Sequence, residues 1–572
     1  VDREEKPAPE KKLKDIVLAK GQVKVRNGTP GFTKPGKGKW WDVEVADMER
    51  FYRLDPRSKR GCTLAGIGCS GARPMVSANT DFIRLKALMC RVYRRPALDP
   101  VYRPWGYGPR PGVWAKAWEF VDELLPGFES KREPFSEWLA SMPSRRRAAL
   151  ARAKAKYERT GWSHRYAQFK AFVKTELLPS FDKEGTELVR LDSMVDRLIQ
   201  GPDDVTHCIA GPWLKPLVKK LKQLWGPSSM IHYGSCKPDS LRTFLRERLV
   251  ADSGFFFWSD FSMFDCTHSA DSWAFMERLY KRAGIDEPDF WKVMDAWRQP
   301  SGLIGPFKYK ANIMNASGRD DTSLANGVLN GFCSFLSAAA AWLQKDVLAL
   351  TKADLHTVSG LLSLSVCGDD SIGRLPSLTA SESEAFAFAF RKNVAMFGFE
   401  AKLGYSDRLV DAVYLGHRPL PVAGQWLWGK TIGRATYKMG WLVDDGSRDP
   451  LAHITGVADM HVRCSKHVPV LYDLASKIVE LRQGAKRTPY VYDPNKPWQE
   501  PDESGAMYDD ATLKAVAEAY TTRPCCGTPA AVDQEVTVAD VKSLISAIRG
   551  IKRLPCVLDH WLWKRMVAAD DL

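Results

Sequence analysis

Three aspartates stand where the chain could bring them together. Asp260 closes the aromatic run Phe255-Phe256-Phe257-Trp258-Ser259, and Asp369 and Asp370 follow Gly368 between two apolar stretches, Leu361–Val366 and Ser371-Ile372. A short aromatic run suits a buried strand, and Gly-Asp-Asp between apolar stretches suits two strands joined by a tight turn. Side chains at strand ends reach a sheet edge, where carboxylates meet solvent and metal. Mg²⁺ takes a few hard carboxylate oxygens together with substrate phosphates. Two such ions about 3.5–4 Å apart clamp the attacking and leaving oxygens of an in-line phosphoryl transfer. Asp260 and Asp369 are the bridging candidates, with Asp370 in support, and Mn²⁺ is an acceptable substitute for Mg²⁺. Alone, Gly-Asp-Asp reads as a turn whose aspartates bond their own backbone.

The stretch between the aspartates changes that balance. Ser317-Gly318 is followed by Thr322 and Asn326, a Ser-Gly-x3-Thr-x3-Asn pattern. Thr322 and Asn326 are four apart, so a helix puts them on one face, with Ser317-Gly318 as a pliable loop ahead of it. The plainer alternative is a Ser-Gly turn with Thr322 near a helix N-cap. Thr322–Lys345, with four consecutive alanines inside, is expected to be a long buried helix. Ser381–Phe397 is expected to be another, opened by a capping box of Ser381 with Glu384. Ser144–Tyr166, rich in Arg, Lys and Ala, should be a third; its bases read equally as an RNA-facing surface or a solvated face. The first 25 or so residues read as a flexible extension, and Asp493–Gly505, rich in Pro, Asp and Glu, as an exposed loop.

The chain has 572 residues, more than one compact core accommodates, so several subdomains are expected. Its 83 Lys and Arg against 68 Asp and Glu leave +15, which points to a polyanionic partner or to a basic solvated surface. The 12 cysteines are scattered; Cys62 and Cys69, and the adjacent Cys525 and Cys526, lack a usual zinc spacing, so free thiols in a reducing compartment are expected. No signal peptide opens the chain. The longest apolar run, Leu329–Leu343, is interrupted by Asn330 and two serines and falls short of a membrane span.

In order and spacing, Asp260-x-Ser-x-Phe-Asp265, Ser317-Gly318-x3-Thr322-x3-Asn326 and Cys367-Gly368-Asp369-Asp370 resemble motifs A, B and C of viral RNA-dependent RNA polymerases, the tombusvirus- and nodavirus-like positive-strand RNA viruses in particular. The resemblance spans roughly Gly61–Pro419. Phe169–Glu176, with Lys174, and Arg197-Leu198-Ile199-Gln200 resemble the two parts of motif F, whose bases hold the nucleotide triphosphate; a guanidinium fork and an ammonium both suit phosphate. Gly398–Lys402 resembles motif D, which implies Lys402 as the general acid for the leaving pyrophosphate, with Lys392 as rival. Val413–Gly416 resembles motif E. The resemblance implies that Asp265 and Asn326 read the ribose 2′-OH. A site built around that hydroxyl disfavours deoxynucleotides.

The implied fold is an α+β right-hand polymerase with closed fingers and thumb. Residues 1–60 would be an N-terminal extension, 61–240 fingers, 241–416 palm with a fingers insertion near 287–315, and 417–572 thumb and C-terminal region. The implied partners are template and product RNA, nucleoside triphosphates and viral replication proteins, at membrane-associated replication complexes in the host cytoplasm. Membrane attachment would come through a partner or a further region. A reverse transcriptase and a non-catalytic basic RNA-binding protein are the alternatives. Gly66–Pro74 is a candidate template-guiding loop, Trp426 and Trp428 a candidate priming platform or core residues, and His461, Cys464 and His467 a zinc site or, more simply, incidental residues of a helix.

Overall fold

The computed structural model describes residues 22–26, 40–43, 59–60, 62–72, 74, 76–77, 80–93, 99–177, 196–234, 238–251, 253–443, 449–485, 505–521 and 535–571. The fold is α+β, and two sheets organise its middle. The first has five strands in the order Ala401–Ser406, Phe255–Phe261, Asp370–Leu375, Ser363–Cys367, Ile231–Tyr233; the last pairing is parallel and the others antiparallel. Its second strand, Phe255–Phe261, is almost continuously apolar because both faces are covered. Phe257 lies across from Gly373 and Trp258 across from Gly404. A Cβ on either glycine would come within 2.3–2.4 Å of the facing ring, so the two glycines are what lets the aromatic strand sit flat between its neighbours.

Two helices back this sheet. Thr322–Trp342 is long and apolar enough to cross a membrane, yet that apolar stretch is wholly buried. Ala380–Met396 packs beside it and presents Phe386 and Phe390 to Phe255 and Phe257, ring centroids 5.0–5.6 Å apart, a separation at which aromatic pairs attract beyond their area. The second helix starts earlier than expected. Thr379, not Ser381, is its N-cap, and the capping box closes with Glu382 rather than Glu384. Both registers satisfy the Ser/Thr-x-x-Glu rule; the earlier one also seats Leu378 against the core. The Ser144–Thr160 helix ends sooner than expected and buries only Leu150 and Ala153. Arg146 pairs with Asp204 at 2.9 Å, and Lys154 lies over the Phe135 and Tyr157 rings.

The second sheet is assembled from distant pieces. Its six strands run Trp40–Val43, Gln22–Arg26, Phe307–Lys310, Ser301–Ile304, Gln168–Val173, Leu198–Gly201. Gln22–Arg26 fell in the stretch that composition marked as a flexible extension. It is a strand, with Val23 and Val25 fully buried against Phe307 and Tyr309 in a shared core. The strand is short and flanked by charge, so its period-2 alternation spans too few residues to stand out from a Lys/Glu-rich tail.

The C-terminal part is a hairpin, His417–Val422 with Gln425–Lys430, followed mainly by helices around their own core. Residues 62–72 join that core rather than the block that follows them in sequence. Cys62–Leu64 pairs with Trp441–Val443, Ile67–Cys69 pairs with Cys556–Leu558, and Ala65, Ile67, Cys69 and Ala72 are buried among the C-terminal helices. Most of Asp493–Gly505 lies outside the described residues.

Candidate active site at the Gly-Asp-Asp turn

The register of the five-stranded sheet gathers the acids. Ser259 pairs with Ser371 and Cys367 with Asp370, which sets Asp260 beside the turn that carries Asp369 and Asp370. Gly368 takes φ +64° there, a left-handed conformation that a side chain resists. Burial first, and the adjacent Asp369 second, push the Asp260 carboxyl up to about 6, although nearly half of its side-chain surface still reaches solvent. Burial and the charges of Asp369 and Asp260 push Asp370 up to about 7, against Arg434 and Arg197. Like charges held together resist ionisation, and a cation among them would relieve that. The donors are all hard oxygens, the kind Mg²⁺ takes. Among the described residues no three His, Cys, Asp or Glu side chains are already drawn close enough to hold a metal ion.

Helix Thr322–Trp342 fixes the turn. Asn330 donates to the carbonyls of Gly368 (3.0 Å) and Asp370 (3.1 Å), and Ser334 donates to Asn330 at 2.7 Å. One turn earlier, Asn326 Nδ2 donates to Asp265 Oδ1 at 2.9 Å and its Oδ1 accepts from Asn315 at 2.5 Å. Asp265 is pushed up to about 6, chiefly by burial and in spite of the Asn326 bond. Asp265 sits at the start of a short helix after Met263, which takes φ +52°. One turn earlier again, the Thr322 hydroxyl donates to the Ala316 carbonyl at 3.1 Å. The four-residue spacing seen in Thr322 and Asn326 therefore continues through Asn330 to Ser334, a longer stripe than the pattern that drew attention to it.

The Ser317-Gly318 loop docks on the other sheet. Gln200 N–H donates to the Ser317 carbonyl at 2.7 Å, and Gly318 sits at φ +113° with a would-be Cβ 2.8 Å from the Gln200 carbonyl. On that same hairpin Lys174 N–H donates to the Arg197 carbonyl at 2.8 Å, so the two bases stand side by side, sharing Glu176 at 3.4 and 3.5 Å. The Arg197 charge is felt at both Asp260 and Asp370. Lys402 is opposite Asp260 in the register, its Nζ 3.9 Å from the Asp260 carboxylate and two-thirds exposed. Lys392 is an exposed position on the Ala380–Met396 helix.

No protein-family model and no curated protein matches the chain.

Several residues at the site escaped sequence reading. Asn330 was visible only as a blemish in an apolar run; a polar residue interrupting such a helix at a four-residue interval was the available signal. Asn315 precedes the Ser317-Gly318 loop and had none. Arg434, on the Ile432–Met439 helix of the C-terminal part, brings a cation to Asp370, and nothing local marks it. Arg319, between Gly318 and Thr322, is fully buried. It pairs with Asp321 at 2.5 and 2.9 Å and lies over Trp273 and Trp297.

The weaker candidates fall elsewhere. His461 bonds Ser465 at 3.2 Å and His467 bonds the Trp428 carbonyl at 3.1 Å. Burial pushes His461 down to about 3. Trp428 is a core residue whose indole donates to the Leu241 carbonyl at 3.1 Å, with Trp426 packed against the same cluster. Gly66–Pro74 is mostly built into the C-terminal core.

Proposed function

We propose that the chain carries out template-directed RNA synthesis, in the manner of a viral RNA-dependent RNA polymerase, with Asp260, Asp369 and Asp370 as ligands of two Mg²⁺ ions. One observation carries the reading: a single helix holds the Gly-Asp-Asp turn through Asn330 and the Asp265–Asn326 pair one turn away. On this reading the turn aspartates would work on phosphate and Asp265 on the sugar, with the one helix holding the two apart. The metal pair would supply the charge that acidifies the RNA 3′-OH and neutralises the leaving pyrophosphate.

The protein's part is positioning and proton transfer. Lys174 and Arg197 hold the triphosphate. The 3′-OH gives up its proton to solvent water as the bond from O3′ to the α-phosphorus forms and the bond to the bridging oxygen breaks. Lys402 then gives a proton to the pyrophosphate, and Asp265 with Asn326 bonds the ribose 2′-OH. Ser317, Gly318 and Thr322 fix the loop that joins the sugar side to the phosphate side. On this reading the five-stranded sheet is the palm, the six-stranded sheet belongs to the fingers, and the C-terminal part is the thumb.

The test is extension of a primed and an unprimed RNA template by the purified chain in Mg²⁺ buffer. Extension should vanish with EDTA and in Asp369→Ala, while RNA binding by that variant persists. Near-normal synthesis by Asp369→Ala would sink the proposal.

A further inference from the structure

The six-stranded sheet has two unlike faces. Val23, Val25, Phe307, Tyr309, Ile304 and Phe169 are buried on one. Alternation sends their neighbours to the other face, where the register lines up bases from strands far apart in sequence. Lys24 pairs with Lys308, Lys308 with Leu303, and Leu303 with Lys170, a row that crosses four strands. Lys310 stands beside Lys308 in the next row, and Arg26 follows Lys24. Neighbouring strands are about 4.8 Å apart, so the row places positive charge at closely spaced intervals. Lys24, Arg26, Lys170 and Lys310 are exposed. Among the described residues, Asp42 is opposite Lys24 in the register, and Glu176 is shared by Lys174 and Arg197.

Amid these bases Phe172 is 53% exposed, two residues from Lys170 on the same strand and two before Lys174, which follows the strand's end. A large ring left in solvent between lysines has a use if an unpaired base stacks on it, and every base offers a π-face. A duplex hides its bases, an acidic peptide need not offer a ring partner, and a membrane would call for more than one exposed apolar side chain.

We propose that this face is a docking surface for single-stranded RNA, held by Lys24, Arg26, Lys308, Lys310 and Lys170 through its phosphates and by Phe172 through a stacked base. The proposal takes the identity of the polyanion from the RNA-synthesis reading and rests on it to that extent. The face leads along the Gln168–Val173 strand to Lys174 and Arg197, so a strand lying on it ends at the carboxylates. The N-terminal strand is then half of a binding surface and not a tail.

The experiment measures binding of labelled single-stranded RNA to the full chain over a range of salt concentrations. Each lost phosphate contact lowers the slope of log K against log salt by about 0.7. A variant carrying Lys24→Gln, Arg26→Gln, Lys308→Gln and Lys310→Gln should therefore lose up to about 3 from the slope, and its thermal melting should stay unchanged. Phe172→Ser should weaken single-stranded RNA by about tenfold and leave duplex RNA unaffected. An unchanged slope in the fourfold variant, or an equal loss for duplex in Phe172→Ser, overturns the proposal. Primer extension separates it from the reading above. Salt-sensitive binding through this face by a chain that incorporates no nucleotide leaves the docking surface standing and removes the polymerase. Extension with an unchanged slope does the reverse.

Discussion

The two sheets solve different problems with different materials. The five-stranded sheet is built mostly from segments between residues 255 and 406, covered on both faces, with glycines facing aromatic rings and a buried helix bonded to its critical turn. The six-stranded sheet takes strands from residues 22 to 310 and leaves one face to solvent. Carboxylates that are to share metal ions must be held to within about 0.5 Å, and packing on both faces supplies that rigidity. A cationic face acts through a field that extends over about 8–10 Å at ordinary salt, so a displacement of an ångström costs it little. A catalytic cluster needs a tightly determined scaffold; a binding face tolerates a stitched one.

The largest expected effects separate the sheets by kind. Asp369→Ala should lower nucleotide incorporation by about 10³-fold or more, several kcal/mol at about 1.4 kcal/mol per decade, with RNA affinity retained. Charge removal on the six-stranded sheet should do the opposite. If Asp369→Ala lost RNA binding in proportion to activity, the division between a chemical sheet and a binding sheet would fail.

The next effect lies at the junction. Arg319 and Asp321 form an ion pair that is 1% exposed on each side, beneath the Ser317-Gly318 loop that ties the sheets together. Truncating one member strands the other charge in the protein interior, a loss of about 3–5 kcal/mol. Asp321→Ala should lower the urea midpoint accordingly. Replacing both by apolar residues of similar size, Arg319→Met with Asp321→Leu, should recover much of it, because no charge is then left buried. A double variant as unstable as the single one would show that the bonds to Tyr280 and the contacts with Trp273 and Trp297 matter more than charge balance.

How much of this was legible follows from the same contrast. Asp260, Asp265, Asn326 and the Gly-Asp-Asp turn could be placed because each lies in a run whose period or turn chemistry is local. The buried helix behind them announced itself by length and alanine content. Two of the strands they belong to were also readable, since one is a single aromatic run and the other follows the Gly-Asp-Asp turn. The second sheet was not. Its strands are four to six residues long, its alternation of Lys with Val or Phe looks like any charged stretch, and its pairings join residues nearly 290 positions apart. The incorporation of residues 62–72 into the C-terminal core was hidden for the same reason. Pairing partners across a chain are set by tertiary packing, and single-strand patterns carry no address.

Lys402 gives a smaller and more diagnostic effect. It stands 3.9 Å from Asp260 in an exposed ion pair, which contributes little to stability, so Lys402→Ala should leave melting unchanged. As general acid its loss should slow incorporation by about 10²-fold. Lys402→His should restore part of the rate and move the pH profile toward lower pH, since imidazole loses its proton near pH 6.5. A uniform slowing with the wild-type pH profile would reassign Lys402 to positioning.

The smallest predicted change bears most directly on the sugar preference of the proposed polymerase. Asp265 and Asn326 are bonded to each other at 2.9 Å, and Asn315 occupies the other end of the Asn326 amide. Without a sugar the pair is nearly self-satisfied, so a deoxynucleotide leaves it little worse than before. A ribose 2′-OH gains by inserting as an additional partner. Discrimination from this pair alone is then about one hydrogen bond to a charged group, about 1.5–3 kcal/mol, far below what an unpaired buried site would give. Asn326→Ala should reduce the preference for ribonucleotides over deoxyribonucleotides by about ten- to a hundredfold, read as the ratio of kcat/KM for the two on one template. It should do so mainly by slowing ribonucleotides rather than by accelerating deoxynucleotides. Faster deoxynucleotide incorporation would mean that Asn326 excludes the deoxy sugar instead of welcoming the hydroxyl, and the site would then be built on steric rejection.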